Sequence, residues 1–536
     1  MKLHRLPMLS CGPIATILFS AVTAAAQMTT SQYDNARTGA YLNETTLTPR
    51  NVNPQHFGKI FTLKVDGDVY AQPLFLAGVQ IPGKGRHDVL FIATEHDSVY
   101  AFDAYGNPSS PLWRVSFLKD NVTTVSADYA SCPFIDPEIG ITSTPVIDTK
   151  SGTLYVLART QERRGSFSTS DFHQQLHALA VTTGAEKFGG PTEIQAKVRG
   201  HGDGSKGDEV QFGSLRENPR ASLLMVNGII YLTWGSSCDV GPYHGWVMAY
   251  DAHSLKQKAV FNTSPDADDS GIWAGDTGPA ADQDGNIFLA TGNGLFDVAK
   301  GGHDYGDSLL KLKFAGQSLT PDDYFAPFNV DELSAKDQDL GSGGPVLLPD
   351  QAGPHAHLAV IAGKGLTIYL IDRDRMGHYE AKSNSHAVQA VAIPGGVFGS
   401  MAYWNQNLFV MCDSDVLRDF AVTKGRLSLK AAGGQRFQGT VATPTVSANG
   451  LKDGIVWVLI KKDSPLDRAE ELYAYDASNI AHTLYNSEQD PGRDRAGYAL
   501  TFNTPTVVNG HVYVGAKREV DVYGCCPRTP SDENGA

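Results

Sequence analysis

The chain has 536 residues, of which 19% are charged, and its formal net charge is -14. This acidic balance argues against nucleic acid and anionic membranes as partners, because binding to either requires clusters of Lys and Arg. No stretch after the N-terminal apolar run approaches the ~18 consecutive apolar residues of a membrane helix. The 55 glycines and the lack of a long helix-period pattern favour a turn-rich β protein.

Residues 1–26 have the pattern of a secretory signal peptide. A basic start with Lys2 is followed by an apolar stretch over 14–22 and by small residues that suit cleavage before Gln27. We therefore expect the protein to be exported, to the periplasm or outside the cell. Residues 27–58 form a polar lead-in, which we expect to wrap the surface of the folded domain.

The main part of the chain repeats one phrase. Each copy begins with a short run, usually containing Pro, that leads into an apolar strand; Pro suits a strand entrance because it has no N–H to donate. In the last copy, Asn509 and Gly510 separate two apolar runs, which is the strongest short-range hairpin signal. We count eight copies, which begin at Gln72, Ser143, Ala221, Gly278, Gly343, Ser400, Thr443 and Thr504.

Repeats of this kind, made only of strands, indicate an all-β protein, an eight-bladed β-propeller over residues 59–524. The last copy stops at Tyr523 without a further strand, whereas an unpaired strand, Lys59–Val65, precedes the first copy. We predict that this N-terminal strand pairs with Val520–Tyr523 in the last blade. Such a pairing closes the ring and removes an exposed sheet edge.

The cysteines add a prediction about the loops. Because export permits disulfides, Cys132 and Cys238, which both lie in long loops, are candidates for a bridge between neighbouring blades. Cys412 follows a strand and is interpreted as a buried thiol. Cys525 and Cys526 form a vicinal pair at the start of a tail, 525–536, that we predict to be disordered.

Long insertions between strands are expected to crowd the mouth of the central channel. Loops on a rigid scaffold often carry function, and the mouth of a propeller is the default ligand site. The insertions are Lys119–Glu138, Arg159–Phe172, Ala196–Asn218, Gly235–His244, Asp297–Tyr305 and Phe325–Leu340.

Two phrases, Val99–Ala104 and Ala180–Phe188, resemble the blade signature of the PQQ-like propeller repeat family. The resemblance covers roughly residues 59–523. It implies the propeller fold, but members of this family use one ring for unrelated functions. Some are quinoprotein alcohol dehydrogenases that hold PQQ over Ca²⁺ in the funnel, and others are scaffolds without a cofactor. The Asn-Pro metal motif of the enzymes has no counterpart here, and their vicinal disulfide belongs to an early blade rather than to the tail.

Three carboxylates are candidate metal ligands or catalytic groups. Glu138, Asp276 and Asp339 each precede the inner strand of a different copy. Carboxylates that converge from three blades suit Ca²⁺, which favours several oxygen ligands. The alternative is that they accept hydrogen bonds from turn amides or pair with neighbouring cations.

Four further residues are candidate contacts to a ligand. Trp273 can provide a flat stacking surface or pack between blades. Arg220 and Lys364 can pair with an anionic ligand or form structural ion pairs. His244, in the phrase 242–246, can carry a proton near neutral pH or be held by hydrogen bonds within its loop.

We predict an exported, monomeric propeller that binds a small molecule in the funnel or a partner protein on the loop face. No cofactor is firmly implied. The alternative is a PQQ- and Ca²⁺-dependent dehydrogenase, in which Asp276 would be the base and Glu138 a metal ligand. In that case Trp273 would form the floor and Lys364 would contact the quinone. A third class, a polysaccharide-active enzyme, has no paired-carboxylate motif in its favour.

Overall fold

The chain forms a ring of eight antiparallel β-sheets, the blades, around one axis. The computed structural model describes residues 26–164, 169–439, 442–461 and 469–525. Residues 1–25 of the predicted signal peptide and residues 526–536 of the predicted tail lie outside these ranges. Cys525, predicted to begin the disordered tail, instead ends the strand Glu519–Cys525.

The blades follow the order of the repeats, and the strands of each are given from the axis outward. Blade 1 contains Leu74–Ile81, Gly85–Thr94, Ser98–Asp103 and Trp113–Ser116, and blade 2 contains Val146–Asp148, Thr153–Arg164, Thr169–Ala180 and Thr192–Glu193. Blade 3 contains Leu224–Val226, Ile229–Ser236, Trp246–Asp251 and Gln257–Asn262, and blade 4 contains Ala280–Ala281, Ile287–Ala290, Leu309–Ala315 and Ser318–Ala326. Blade 5 contains Val346–Leu347, Leu358–Ala362, Thr367–Asp372 and Gln389–Ala392, and blade 6 contains Ala402–Trp404, Asn407–Met411, Val416–Thr423 and Arg426–Arg436. Blade 7 contains Thr445–Asn449, Lys452–Lys461, Glu470–Asp476 and Thr483–Asn486, and blade 8 contains Thr506–Val508, His511–Ala516, Glu519–Cys525 and Phe57–Lys64.

Smaller elements lie in the insertions and at the axis. The short helices are Ala127–Ala130, Val298–Lys300, Val330–Ala335, Leu340–Ser342 and Pro491–Asp494. The additional strands are Gln27–Met28, Ala40–Tyr41, Val122–Ser126, Glu138–Ile139, Lys197–Arg199, Glu209–Gln211, Glu217–Asn218 and His378–Tyr379.

The last blade confirms the predicted closure of the ring. Phe57–Lys64 runs antiparallel to Glu519–Cys525, and Phe61 lies opposite Val522. The two-residue hairpin in the same blade is also as predicted, since Asn509 and Gly510 have φ values of 51° and 82°. Both values suit the tight turn that joins twisted strands.

The hydrophobic core is divided among the interfaces between blades. One cluster, for example, combines Val360 and Leu370 of blade 5 with Leu408 and Val410 of blade 6. Similar clusters join the other neighbouring blades. Each sheet therefore buries both faces against its neighbours, which a single blade cannot do alone.

The axis of the ring is filled by residues 26–44, which we call the axial segment. Its hydrogen bonds reach the inner strands of all eight blades. In blades 1 to 4, Ala26 O accepts from Ala77 N, Thr29 O accepts from Ile147 N, Asn35 Nδ2 donates to Met225 O, and Asn35 O accepts from Ala281 N. In blades 5 to 8, Ala36 O accepts from Leu347 N, Thr38 O accepts from Tyr403 N, Gly39 O accepts from Val446 N, and Tyr33 OH accepts from Val507 N.

This path corrects the prediction that the lead-in wraps the surface. The axial segment is largely buried, and Gln32 and Arg37 have no exposed area. The inner strands present unpaired backbone groups to the channel, and the segment satisfies several of them. Polar composition was therefore misleading, because these polar residues pair with backbone rather than with solvent.

Neighbouring blades also meet directly around the axis, at the residue before each strand-entrance Pro or its replacement. We call these eight residues the hub ring: Gln72, Thr144, Ser222, Gly278, Gly344, Ser400, Thr443 and Thr504. Gln72 N donates to Thr144 Oγ1 at 2.9 Å, and Ser400 N donates to Thr443 Oγ1 at 2.8 Å. A Cβ on Gly278 would lie 2.4 Å from Ser222 Oγ, so the close approach of two blades requires glycine there.

Candidate functional site

A cavity of about 570 Å³ lies at the end of the axis where the inner strands begin. Its size suits a small organic ligand. All eight blades contribute to its wall through residues that precede their inner strands: Tyr70, Thr142, Arg220, Asp276, Ser342, Phe398, Gly439 and Phe502. Except for Gly439, each of these lies four positions before the first residue of its inner strand.

Four of the six insertions predicted at the channel mouth also line this cavity. They contribute Phe134, Asn218, Asp239 and Asp337, among other residues. Insertions 159–172 and 297–305 contribute none of the lining residues. The predicted crowding of the mouth is therefore confirmed for the loops around blades 2 to 5 and not for every insertion.

Arg220 is a partly buried cation in the wall with few protein contacts. The carbon of its guanidinium lies 3.7 Å from the centre of the Phe502 ring, and Nε donates to Gly275 O at 3.3 Å. Burial lowers the pKa of Arg220 to about 10, against the attraction of Asp276, so the group stays charged near neutral pH. No carboxylate among the described residues lies within ion-pair distance of it. Most of its N–H donors are therefore left for another group.

Asp276 also lines the cavity, and its charge acts on Arg220. Thr443 Oγ1 donates to Asp276 Oδ1 at 2.6 Å, which ties the carboxyl to the hub ring. The other oxygen, Oδ2, is buried without a hydrogen-bond partner in the described part of the chain. Burial raises the pKa of Asp276 to about 6. This carboxyl therefore changes charge in the mildly acidic range.

Lys364 and Asp339, which both line the cavity, form an ion pair. Lys364 Nζ lies 2.5 Å from Asp339 Oδ2 and 3.1 Å from Asp337 Oδ1. Burial alone would lower the pKa of Lys364, but the charge and hydrogen bond of Asp339 raise it. Asp339 Oδ1 also accepts from Asn293 N at 2.8 Å. The lysine is thus committed to protein carboxylates, unlike Arg220.

Trp273 lines the cavity and meets Tyr243 edge to face, with ring centres 6.2 Å apart. Its ring therefore both lines the cavity and packs against Tyr243 of insertion 235–244. Around the rim, the predicted Cys132–Cys238 disulfide is present and joins insertions 119–138 and 235–244. Tyr70 OH supports this rim by donating to Phe134 O at 3.1 Å.

Two candidates from the sequence do not reach the cavity. Glu138 is held by His96 Nδ1 at 2.9 Å and by Thr124 Oγ1 at 2.9 Å. His244 is 2% exposed, and its Nδ1 and Nε2 lie 3.0 Å from the carbonyl oxygens of Ser264 and Asp203. Neither residue lines the cavity. Their contacts match the structural alternatives, namely hydrogen bonding within loops.

Sequence reasoning missed Tyr70 and Phe502 as wall residues. Both occupy the same position in the repeat as Arg220 and Asp276, four residues before an inner strand. This position would have identified them, because equivalent residues of a propeller lie at the same height around the axis.

The residues do not fit the calcium site that the family resemblance implies. Calcium takes six to eight oxygen ligands, usually with several carboxylates. Within the described residues there is no group of three or more His, Cys, Asp or Glu side chains that could hold a metal ion. Glu138 lies outside the cavity, and Asp339 is paired with Lys364.

Comparisons with known proteins identify the fold. No protein-family model and no curated protein matches the chain. A solved structure of the quinohemoprotein alcohol dehydrogenase ADHIIG from Pseudomonas putida HK5 aligns with a TM-score of 0.62 and 14% identity, over 94% of this chain and 82% of that one. A europium-containing methanol dehydrogenase aligns with a TM-score of 0.57 and 12% identity, over 93% and 98%. BamB from Moraxella catarrhalis aligns with a TM-score of 0.48 and 10% identity, over 88% and 99%.

The chain therefore has an eight-bladed propeller fold, as predicted, and this fold is similar to that of the two dehydrogenases. Among the described residues, no helix is long and apolar enough to cross a membrane.

Proposed function

We propose that this protein binds a small, planar, anionic molecule in the axial cavity. The observation that carries the proposal is Arg220, a partly buried guanidinium that stacks on Phe502 and has one hydrogen bond to the protein. A guanidinium is well suited to a carboxylate or similar oxyanion, which it binds through paired N–H groups. Trp273 and Phe398 add aromatic surface for a flat ring.

Asp276 completes this recognition. Below its pKa of about 6 the carboxyl is neutral and does not repel an anion beside Arg220. Above that pH it becomes a second negative charge in the cavity. The site therefore favours its anion most under mildly acidic conditions.

We further propose that the protein acts after export. The Cys132–Cys238 disulfide supports this, because such bridges persist in oxidising compartments and are rare in the cytosol. The signal-peptide pattern of residues 1–26 points the same way.

The second candidate function is a quinoprotein dehydrogenase. Asp276 favours it, since a carboxyl with a raised pKa in a ligand cavity is suited to act as a base. The mismatch with calcium ligation speaks against it. Binding of a planar acid needs Arg220 but no metal, and so binding is the function we put first.

The experiment uses PQQ, a planar aromatic acid, as the probe. Purified protein is titrated with PQQ, with and without Ca²⁺, and binding is followed by calorimetry. We expect saturable binding that does not depend on Ca²⁺. In the Arg220→Met variant the affinity should fall by at least about tenfold, the loss of one charged hydrogen-bonding partner.

Arg199→Met is the matched control, because the Arg199 side chain is 91% exposed and lies outside the cavity. It should bind as the unchanged protein does. Equal affinity in the Arg220→Met and Arg199→Met variants would remove the basis of the proposal, as would the absence of binding to PQQ and to anthraquinone-2-sulfonate. Alcohol-driven dye reduction that requires both PQQ and Ca²⁺ would favour the dehydrogenase instead.

A further inference from the structure

The hub contains a set of buried polar side chains that the protein does not satisfy. Six residues have side-chain oxygen or nitrogen atoms without a hydrogen-bond partner in the described part of the chain, and each residue is at most 2% exposed. They are Ser31, Gln32, Ser143, Ser222, Thr277 and Thr504.

Three of these residues gather around Gln72 of the hub ring. Gln72 Oε1 accepts from the backbone N–H of Gln32 at 3.1 Å. Its backbone N–H donates to Thr144, the residue after Ser143. Its side-chain Nε2 donates at 3.1 Å to Pro505 O, which directly follows Thr504. Through Gln72, blade 1 therefore contacts Gln32 of the axial segment and the chain neighbours of Ser143 in blade 2 and of Thr504 in blade 8.

The other three gather around Arg37. Its Nη1 donates to Ser31 O at 2.7 Å. Nη2 donates to Leu223 O at 3.2 Å, beside Ser222, and Nε donates to Pro279 O at 2.9 Å. Thr277 lies two residues before this proline and contacts the next blade, since a Cβ on Gly344 would lie 2.2 Å from Thr277 Cγ2.

An unsatisfied polar atom in a dry interior is costly. Each one lowers stability by about 1–3 kcal/mol, and native proteins satisfy most such groups with protein or with ordered water. Gln32 is the extreme case, because both its amide oxygen and its amide nitrogen lack a partner while the residue has no exposed area. Several adjacent donors and acceptors on neutral groups are what a buried water molecule requires.

We propose that the hub binds a cluster of ordered water molecules between the axial segment and the inner strands. The waters bridge Gln32 to the hydroxyl groups of Ser143 and Thr504, and Ser31 to those of Ser222 and Thr277. They are integral to the fold, because they satisfy polar groups that the inner strands and the axial segment leave unpaired. This inference is independent of the ligand in the cavity.

Two measurements on the full-length protein test the proposal. A crystal structure that resolves individual waters should show ordered density within hydrogen-bond distance of Gln32 and Ser143. In parallel, Gln32→Met and Ser143→Ala should each shift the melting temperature downward, since each removes groups that hold water. Ser400→Ala is the matched control, because Ser400 Oγ already donates to Gly344 O at 3.2 Å and its loss must also destabilise.

The sign of the shift decides the question. If the hub is dry, Gln32→Met and Ser143→Ala replace unsatisfied polar groups by apolar ones, and the melting temperature rises while that of Ser400→Ala falls. A rise, or hub density without waters, overturns the proposal. One equivalent of a metal ion by elemental analysis, with matching density at the hub, overturns it as well.

Discussion

Two arginines, Arg37 buried in the hub and Arg220 partly buried in the wall of the cavity, show how differently the two regions use the same side chain. Burial lowers the pKa of both Arg37 and Arg220 to about 10, so both remain charged near neutral pH. Arg37 donates to three backbone carbonyls and to the hydroxyl of Thr30, whereas Arg220 donates to one carbonyl and stacks on Phe502.

The difference distinguishes Arg37, a cation that stabilises the fold, from Arg220, a cation that we propose binds a ligand. A buried charge is tolerated only when its donors are satisfied. At Arg37 the protein satisfies them, so the side chain ties the axial segment to blades 3 and 4. At Arg220 the donors face a cavity, so the ligand or solvent must satisfy them.

The largest effect is expected from Arg37→Met. The variant leaves several carbonyl groups in the hub without a donor and removes a positive charge that favours the ionised form of Asp34. We expect the free energy of unfolding to fall by about 3–5 kcal/mol, as when one partner of a buried polar network is lost. Urea unfolding followed by circular dichroism measures this.

If Arg37→Met does not fold, Arg37→Lys keeps the charge with fewer donors and should show a smaller loss. A loss under about 0.5 kcal/mol in either variant is typical of surface positions and would end the distinction between the two arginines.

The next effect concerns the rim, which is fixed by a disulfide in addition to the hydrogen bond between Tyr70 and Phe134. Replacing Cys132 and Cys238 together by Ala should lower the free energy of unfolding by about 2–4 kcal/mol, because their bridge spans 106 residues and restricts the unfolded chain. Thermal unfolding with and without reductant measures this loss. Reductant should have no further effect on the double variant; a further drop would point to a different source of the loss.

A smaller effect is expected from pH. Asp276 ionises as the pH rises through about 6 and then repels an anion beside Arg220. The affinity for PQQ should therefore fall by about tenfold between about pH 5 and pH 7, and the Asp276→Asn variant should show a flat profile over that range. Calorimetry at several pH values measures both. An affinity that rises with pH would contradict the assigned role of Asp276.

The smallest effect is expected from the loss of Arg220, and it tests directly whether Arg220 differs from Arg37. Arg220→Met should change the free energy of unfolding by no more than about 0.5 kcal/mol, because few protein contacts are lost and a partly buried charge is removed. The same urea experiment as for Arg37→Met measures it. A loss as large as that of Arg37→Met would mean that Arg220 is also structural.

The repeat made much of the fold predictable. Strand entrances, hairpin turns and apolar runs are local signals, and they recur in all eight blades with the closing strand Phe57–Lys64 in its predicted place. The axial segment was not predictable in this way. Its residues pair with backbone groups of eight distant strands, and backbone groups have no sequence signature.

The candidate site was predictable in part. Arg220, Asp276, Trp273, Asp339 and Lys364 line one cavity, as the position of most of them before inner strands suggested. Glu138 also precedes an inner strand, but Thr142 occupies the wall position in that blade, and the Glu138 carboxylate is hydrogen-bonded to His96 and Thr124 outside the cavity. Which way a side chain turns at a loop depends on partners from other insertions, and these are not local in sequence.

The sequence by itself determined the number of blades, the closure of the ring and the type of residue at its mouth, because repetition and turn chemistry act over a few neighbouring residues. Only the tertiary structure decided that residues 26–44 fill the axis, that Lys364 is paired and that Arg220 is not. These outcomes depend on which donors and acceptors meet across the ring, and that is fixed only when all eight blades have closed around the axial segment.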